Sequence, residues 1–138
     1  MDEKYLYKVV IAAVILNDKN EVLLAKRSMK EDVLPGYWGI PGGKVDIRGN
    51  IQDVLEAELK REVLEEVGVK ITDLNYLESH LHESGKINLC FTARISEGVP
   101  QPLDETEKVD WFSLFEAKKM QLTPHTLDRI ERALSKND

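Results

Sequence analysis

A chain of 138 residues with 42% hydrophobic side chains is long enough to bury a core of its own, and one domain spanning 1–138 is expected. Its 25 acidic residues outnumber 19 Lys and Arg, and the net charge of -6 excludes the basic face that sequence-independent nucleic-acid or membrane-surface binding needs. A lone cysteine, Cys90, forbids an intramolecular disulfide and suits a reducing cytoplasm.

The first apolar run, 9–16 (VVIAAVIL), is continuous and β-branched, as expected of a strand buried on both faces. It is too short to cross a membrane, which takes about 20 residues. Residues 17–20 (NDKN) form a predicted turn, and 21–27 (EVLLAKR) the partner strand of a hairpin, ending in Lys26 and Arg27. Those cations are either a solvated strand end or phosphate contacts. A polar loop, 28–36, leads to a short strand, 37–40, and then to Pro41-Gly42-Gly43. A backbone with so little side chain can approach a ligand closely or lend a carbonyl oxygen to a metal. Trp38, beside these glycines, is a candidate for the core and a lesser one for stacking on a base.

After a loop at 44–52, Asp53 and Glu56 have the spacing of a capping box, with Asn50 a competing cap. Leu55, Leu59, Val63 and Val67 recur every fourth residue, and Gly68 fits a helix stop, so a helix of about 14 residues is predicted. Two paired strands, 71–83 and 86–95, turn at Ser84-Gly85, with Cys90 an inert buried thiol in the second. His80 and His82 share one face of the first and form a weak candidate for a metal or proton-transfer pair. An acidic loop, 96–109, precedes a strand at Trp111-Phe112. Ser113 and Glu116 repeat the capping-box spacing and open a short helix to Met120. Thr123-Pro124 caps a last helix whose stripe is Leu127, Ile130 and Leu134. Interleaved strands and helices give an α/β fold with a mixed sheet between helices.

The chemistry concentrates on the predicted helix after the glycines. Glu62, Glu65 and Glu66 fall at i, i+3 and i+4, with Glu58 beside them, so their carboxylates share one arc. Each like-charge i,i+4 pair costs an isolated helix about 0.2–0.5 kcal/mol, so something positive is expected to offset them. Carboxylate oxygens next to a bare glycine backbone suit Mg²⁺ or Mn²⁺, which share their shell with water and substrate phosphates.

The segment 61–69 (REVLEEVGV) resembles the second half of the Nudix hydrolase signature at every position, with Asp53 standing where the family has its first Glu. Gly43 then sits four residues early, so the loop 44–52 reads as a four-residue insertion. The resemblance implies an α/β/α sandwich with a mixed central sheet and a hydrolase that cleaves a pyrophosphate bond with Mg²⁺ or Mn²⁺. It implies Glu62, Glu65, Glu66 and the Gly43 carbonyl as metal ligands, and Arg61 as an orienter of a carboxylate. The general base stays open among Glu65, Glu105 and Glu107. Arg27, Trp38, Gly42, Gly43 and Lys44 are the candidate substrate contacts.

The expected substrate is a small nucleotide, foremost a nucleoside triphosphate cleaved to the monophosphate and pyrophosphate. Alternatives are an ADP-ribose or nucleotide-sugar pyrophosphatase and a non-catalytic nucleotide-binding Nudix module. No nucleic-acid or membrane partner is expected, and the chain is read as a monomer or homodimer.

Overall fold

A computed structural model describes residues 6–136. The expected 1–138 domain extends past this range at both ends, and its outermost residues lie outside the described residues. Strand β1, Lys8–Ile15, is followed by β2, Val22–Arg27, β3, Trp38–Gly39, and β4, Gly42–Lys44. Helix α1, Val54–Val67, then leads into the long strands β5, Lys70–Leu81, and β6, Lys86–Glu97. Strand β7, Thr106–Phe112, and helices α2, Leu114–Ala117, and α3, Thr126–Lys136, complete the order.

The strands divide between two sheets. The first is mixed, in the order β4-β1-β6-β5, with β1 parallel to β6 and its other pairs antiparallel. The second, β3-β2-β7, is antiparallel. The 17–20 turn forms, but β1 and β2 do not make the expected hairpin. Beyond the bridge between Leu16 and Val22 they part, and β2 takes β3 and β7 as neighbours. Both strands are apolar on both faces, so each is buried better between two partners than at the end of a two-stranded ribbon.

Strand β1 is the hub. Its Ile11, Ala13 and Ile15 face a core with Leu59, Val63 and Val67 of α1, while Val14 joins a second core with Cys90, Ala117, Ile130 and Ala133 toward α2 and α3. Helices thus cover opposite faces, the expected α/β/α arrangement. Cys90 is buried, and burial pushes its thiol up to about 12, so it is inert.

Helix α1 has the predicted length of 14 residues, and Gly68, at φ 73°, closes it by donating to the Leu64 carbonyl at 3.0 Å. Its start differs from expectation. Asp53 is left-handed, at φ 53°, and its side chain caps nothing. A capping side chain needs extended backbone at the N-cap, and the turn out of the preceding loop denies Asp53 that conformation. At α2 the capping box does form, with Ser113 Oγ accepting from Glu116 N at 3.1 Å and Glu116 Oε1 from Ser113 N at 2.9 Å. Helix α3 begins at Thr126, three residues after the expected cap, because His125 takes a positive φ of 69°.

Candidate active site

The glycines expected in a loop form strand β4. Ala12 pairs with Gly42, Ile11 with Gly43 and Val10 with Lys44. A Cβ on Gly42 would collide with the Ile11 carbonyl, and one on Gly43 would lie 2.6 Å from the Glu62 carboxyl. Strand β4 is the sheet edge, so its outward N–H groups need partners. Glu66 supplies one, accepting from Gly42 N at 3.2 Å. Two elements that are 24 residues apart in sequence are thereby locked at one corner.

Arg61 answers the charge crowding on α1. Its Nε donates to Glu58 at 2.7 Å, Nη1 to Glu65 at 2.9 Å and Nη2 to Glu62 at 3.0 Å. One planar fork therefore orients three carboxylates. Glu58 is buried, and its hydrogen bond to Arg61 outweighs desolvation and holds its carboxyl below the usual range. Glu62 moves the other way: burial raises it, with the charges of Glu65 and Glu58 adding, against the charge and hydrogen bond of Arg61. Glu66 is pushed up to about 8 by burial, with the charges of Glu62 and Asp104 adding to the effect and the Gly42 N–H opposing it. The result is an acidic site in which the single cation Arg61 faces Glu58, Glu62 and Glu65, while Glu66 has the Gly42 N–H.

This corner opens into a cleft of about 810 Å³, within the range of small-molecule sites. Gly42, Gly43, Lys44 and Glu66 form one end, His80 and His125 the other, and Lys26, Arg27, Glu31 and Glu105 stand along its walls. A second hollow of about 550 Å³ shares the glycines, Lys44 and Glu66 and adds Glu58, Arg61 and Glu62.

Several expected site residues are not in the cleft. Trp38 packs edge-on against Phe112 at 5.1 Å within the second core and does not line it, because its strand partners turn the ring inward. Glu107 belongs to β7 rather than to a loop and pairs with Lys26 at 3.1 Å. Glu65 is half exposed, bonded to Arg61, and lines neither hollow. Arg27 lines the cleft but is committed to the 28–36 loop, donating to the Val33 carbonyl at 3.0 Å and meeting Glu31 at 3.4 Å. Glu105 does line the cleft, and its carboxyl is raised by a hydrogen bond and charge from Glu31. His80 and His82 do not converge: His82 Nδ1 bonds Ser84 in the hairpin turn, while the His80 ring lies 5.1 Å from that of His125.

The sequence reading missed His125 and Arg129. Arg129 carried a readable signal, since Thr126, Arg129, Ile130 and Ala133 are the buried positions of α3 and a cation falls within that stripe.

The NUDIX domain family matches residues 6–133. The CTP pyrophosphohydrolase of Escherichia coli (strain K12) is 32% identical over 125 residues, covering 88% of this chain and 87% of that one. The 8-oxo-dGTP diphosphatase of Proteus vulgaris is 34% identical over 83 residues, 60% of this chain and 68% of the relative. Among solved structures, the NUDIX domain of Shewanella oneidensis NrtR complexed with ADP ribose superposes with a TM-score of 0.79 at 26% identity, covering 100% of this chain and 94% of that one. The chain belongs to the Nudix family. Within it, the chain is an enzyme, a Nudix pyrophosphohydrolase.

Nudix hydrolases use divalent metal ions, and the corner suits one. Glu62 lies against the bare Gly43 backbone and Glu66 is beside it, an all-oxygen set for a hard cation. Among the described residues no three acidic, imidazole or thiol side chains are gathered into a metal-holding group. Among the described residues no helix is long and apolar enough to cross a membrane.

Proposed function

We propose that the chain hydrolyses a nucleoside triphosphate to the monophosphate and pyrophosphate. The observation that carries this reading is the corner where Glu62 and Glu66 meet the Gly42-Gly43 backbone at the mouth of the large cleft. The names of the two relatives, a CTP pyrophosphohydrolase and an 8-oxo-dGTP diphosphatase, support it.

Glu62, Glu66 and the Gly43 carbonyl would hold the divalent cation, which when bound supplies charge neutralisation at the diphosphate and a more acidic water. Arg61 fixes the Glu62 carboxylate from behind. The missing side chains let strand β4 pack directly on β1 and on the Glu62 carboxylate, which brings bare backbone to the cleft, and Lys44 adds a positive charge at the strand end. Glu105 is our choice among the three candidate bases. Its support is its place on the cleft wall, where Glu65 and Glu107 are absent, and a raised carboxyl that takes up a proton more readily.

The ADP-ribose complex of the NrtR domain supports a second reading, an ADP-ribose pyrophosphatase. A nucleotide-binding module without catalysis is disfavoured by the presence of Arg61, Glu62, Glu65 and Glu66 together. A panel of triphosphates, nucleotide sugars and ADP-ribose, with products resolved and ¹⁸O-water to locate the attacked phosphorus, tests all three. Monophosphate plus pyrophosphate is expected. Orthophosphate as first product refutes the triphosphate reading, cleavage of ADP-ribose alone moves the assignment to the second, and no turnover leaves the binding module.

A further inference from the structure

The far end of the cleft holds a charged group that the hydrolytic corner does not use. Arg129 of α3 is 9% exposed, and its Nε donates to Glu78 Oε1 at 3.1 Å. Its Nη1 and Nη2 make no hydrogen bond to any described residue, and Arg129 lines the cleft. The ion pair with Glu78 thus orients the guanidinium plane and leaves Nη1 and Nη2, which carry two parallel N–H groups, without a partner among the described residues in a side chain that lines the cavity. Arginine loses little entropy on such docking because the fork is already rigid.

The sheet register sets the distance between the two ends. Gly42, Ala12, Cys90 and Glu78 lie side by side on β4, β1, β6 and β5. Three strand spacings separate Gly42 from Glu78, about 14 Å. A nucleoside whose phosphates sit at the glycines extends over this distance and brings its base to Arg129. His80 and His125, with ring centroids 5.1 Å apart, stand at the same end.

We propose that Arg129, positioned by Glu78, is a specificity-determining residue that reads two adjacent hydrogen-bond acceptors on the edge of a nucleobase. Resting on the nucleotide reading above, this selects cytosine, through O2 and N3, or guanine, through O6 and N7. Adenine sets a donor beside its acceptor, and uracil and thymine alternate the two, so none of them satisfies both N–H groups. A bidentate pair of this kind discriminates by about 5- to 150-fold.

The test compares kcat/KM for CTP, GTP, ATP and UTP in the wild type and Arg129→Lys, with thermal melts alongside. Lysine keeps the charge opposite Glu78 and removes the fork. The wild type is expected to favour CTP or GTP over ATP and UTP, the preferred member showing which edge is read. Arg129→Lys is expected to lose about 5- to 150-fold of that ratio without a change in melting. A wild type indifferent to the base, or an Arg129→Lys variant with the ratio intact, overturns the assignment, since a purely structural ion pair leaves the ratio unmoved. Calorimetry of CMP, GMP, AMP and UMP on the wild type gives a second reading that needs no variant. The same ranking supports Arg129 and equal affinities overturn it, even if no triphosphate is cleaved and the hydrolytic reading alone has failed.

Discussion

Replacing Glu66 by Gln separates what this residue does for the fold from what it does for the reaction. Glu66 is partly buried, accepts from Gly42 N at 3.2 Å, and is pushed from 4.5 up to about 8. A carboxyl raised in the folded state binds more protons there than in the unfolded chain. Its stabilising contribution is fully present below pH 4.5 and is lost as pH rises through about 8. The full shift corresponds to at most about 5 kcal/mol, and water reaching the carboxyl lowers that to a few. Glutamine keeps an oxygen for the Gly42 N–H and removes the charge. In chelator at pH 9, Glu66→Gln is therefore expected to melt higher than the wild type, by roughly 3–5 °C for each kcal/mol. At pH 5 the two should melt together. Added Mg²⁺ should raise the wild type and leave the variant nearly unmoved. Pyrophosphate release should fall by about a hundredfold or more. A variant less stable than the wild type at pH 9 without metal, or one with more than half the wild-type rate, would show that Glu66 is neither the strained carboxylate nor the ligand.

Arg61→Met leaves Glu58 without its cation, and because the Arg61 side of the pair is partly solvated it should cost about 1–3 kcal/mol in urea unfolding. Because Arg61 lowers the Glu58 carboxyl, the wild type loses this stability as pH falls below 4.5 through the folded value, and the variant should lack that acid limb. Gly42→Ala and Gly43→Ala should part company. The first drives a Cβ into the Ile11 backbone and should unfold or strongly destabilise the chain, while the second meets only the Glu62 carboxyl, so circular dichroism should stay native as activity disappears. Excising residues 48–51 should leave a folded, active enzyme, since all four are exposed and nothing lies within 4 Å of a Cβ on Gly49, while Ile47 stays because it lines the acidic hollow. Asp46 stays because its backbone bonds Glu58. An inert product would show that the excursion builds part of the site.

Legibility in the sequence followed the range of the forces involved. The α1 stripe of Leu59, Val63 and Val67, its Gly68 stop and the Ser113–Glu116 box are local, and each appears where periodicity or spacing put it. The carboxylate arc was equally local, and its expected counter-charge is Arg61. What sequence reasoning did not reach depends on pairing at a distance. Nothing near residues 22–27 says that β2 abandons β1 for β7, and nothing near 42–44 says that a glycine pair is an edge strand closed by Glu66. Asp53 failed as a cap for a local reason of another kind, since spacing carries no information about its φ of 53°. The meeting of Glu78 with Arg129 joins positions 51 residues apart.

On the reading proposed above, Glu62 and Glu66 together hold the divalent cation beside the glycines. Mn²⁺ binding followed by electron paramagnetic resonance, in the wild type and in the Glu62→Gln/Glu66→Gln double variant, tests it most directly. The wild type should take up Mn²⁺ and the folded double variant should leave the free-ion signal undiminished, whereas equal uptake by both would contradict the assignment.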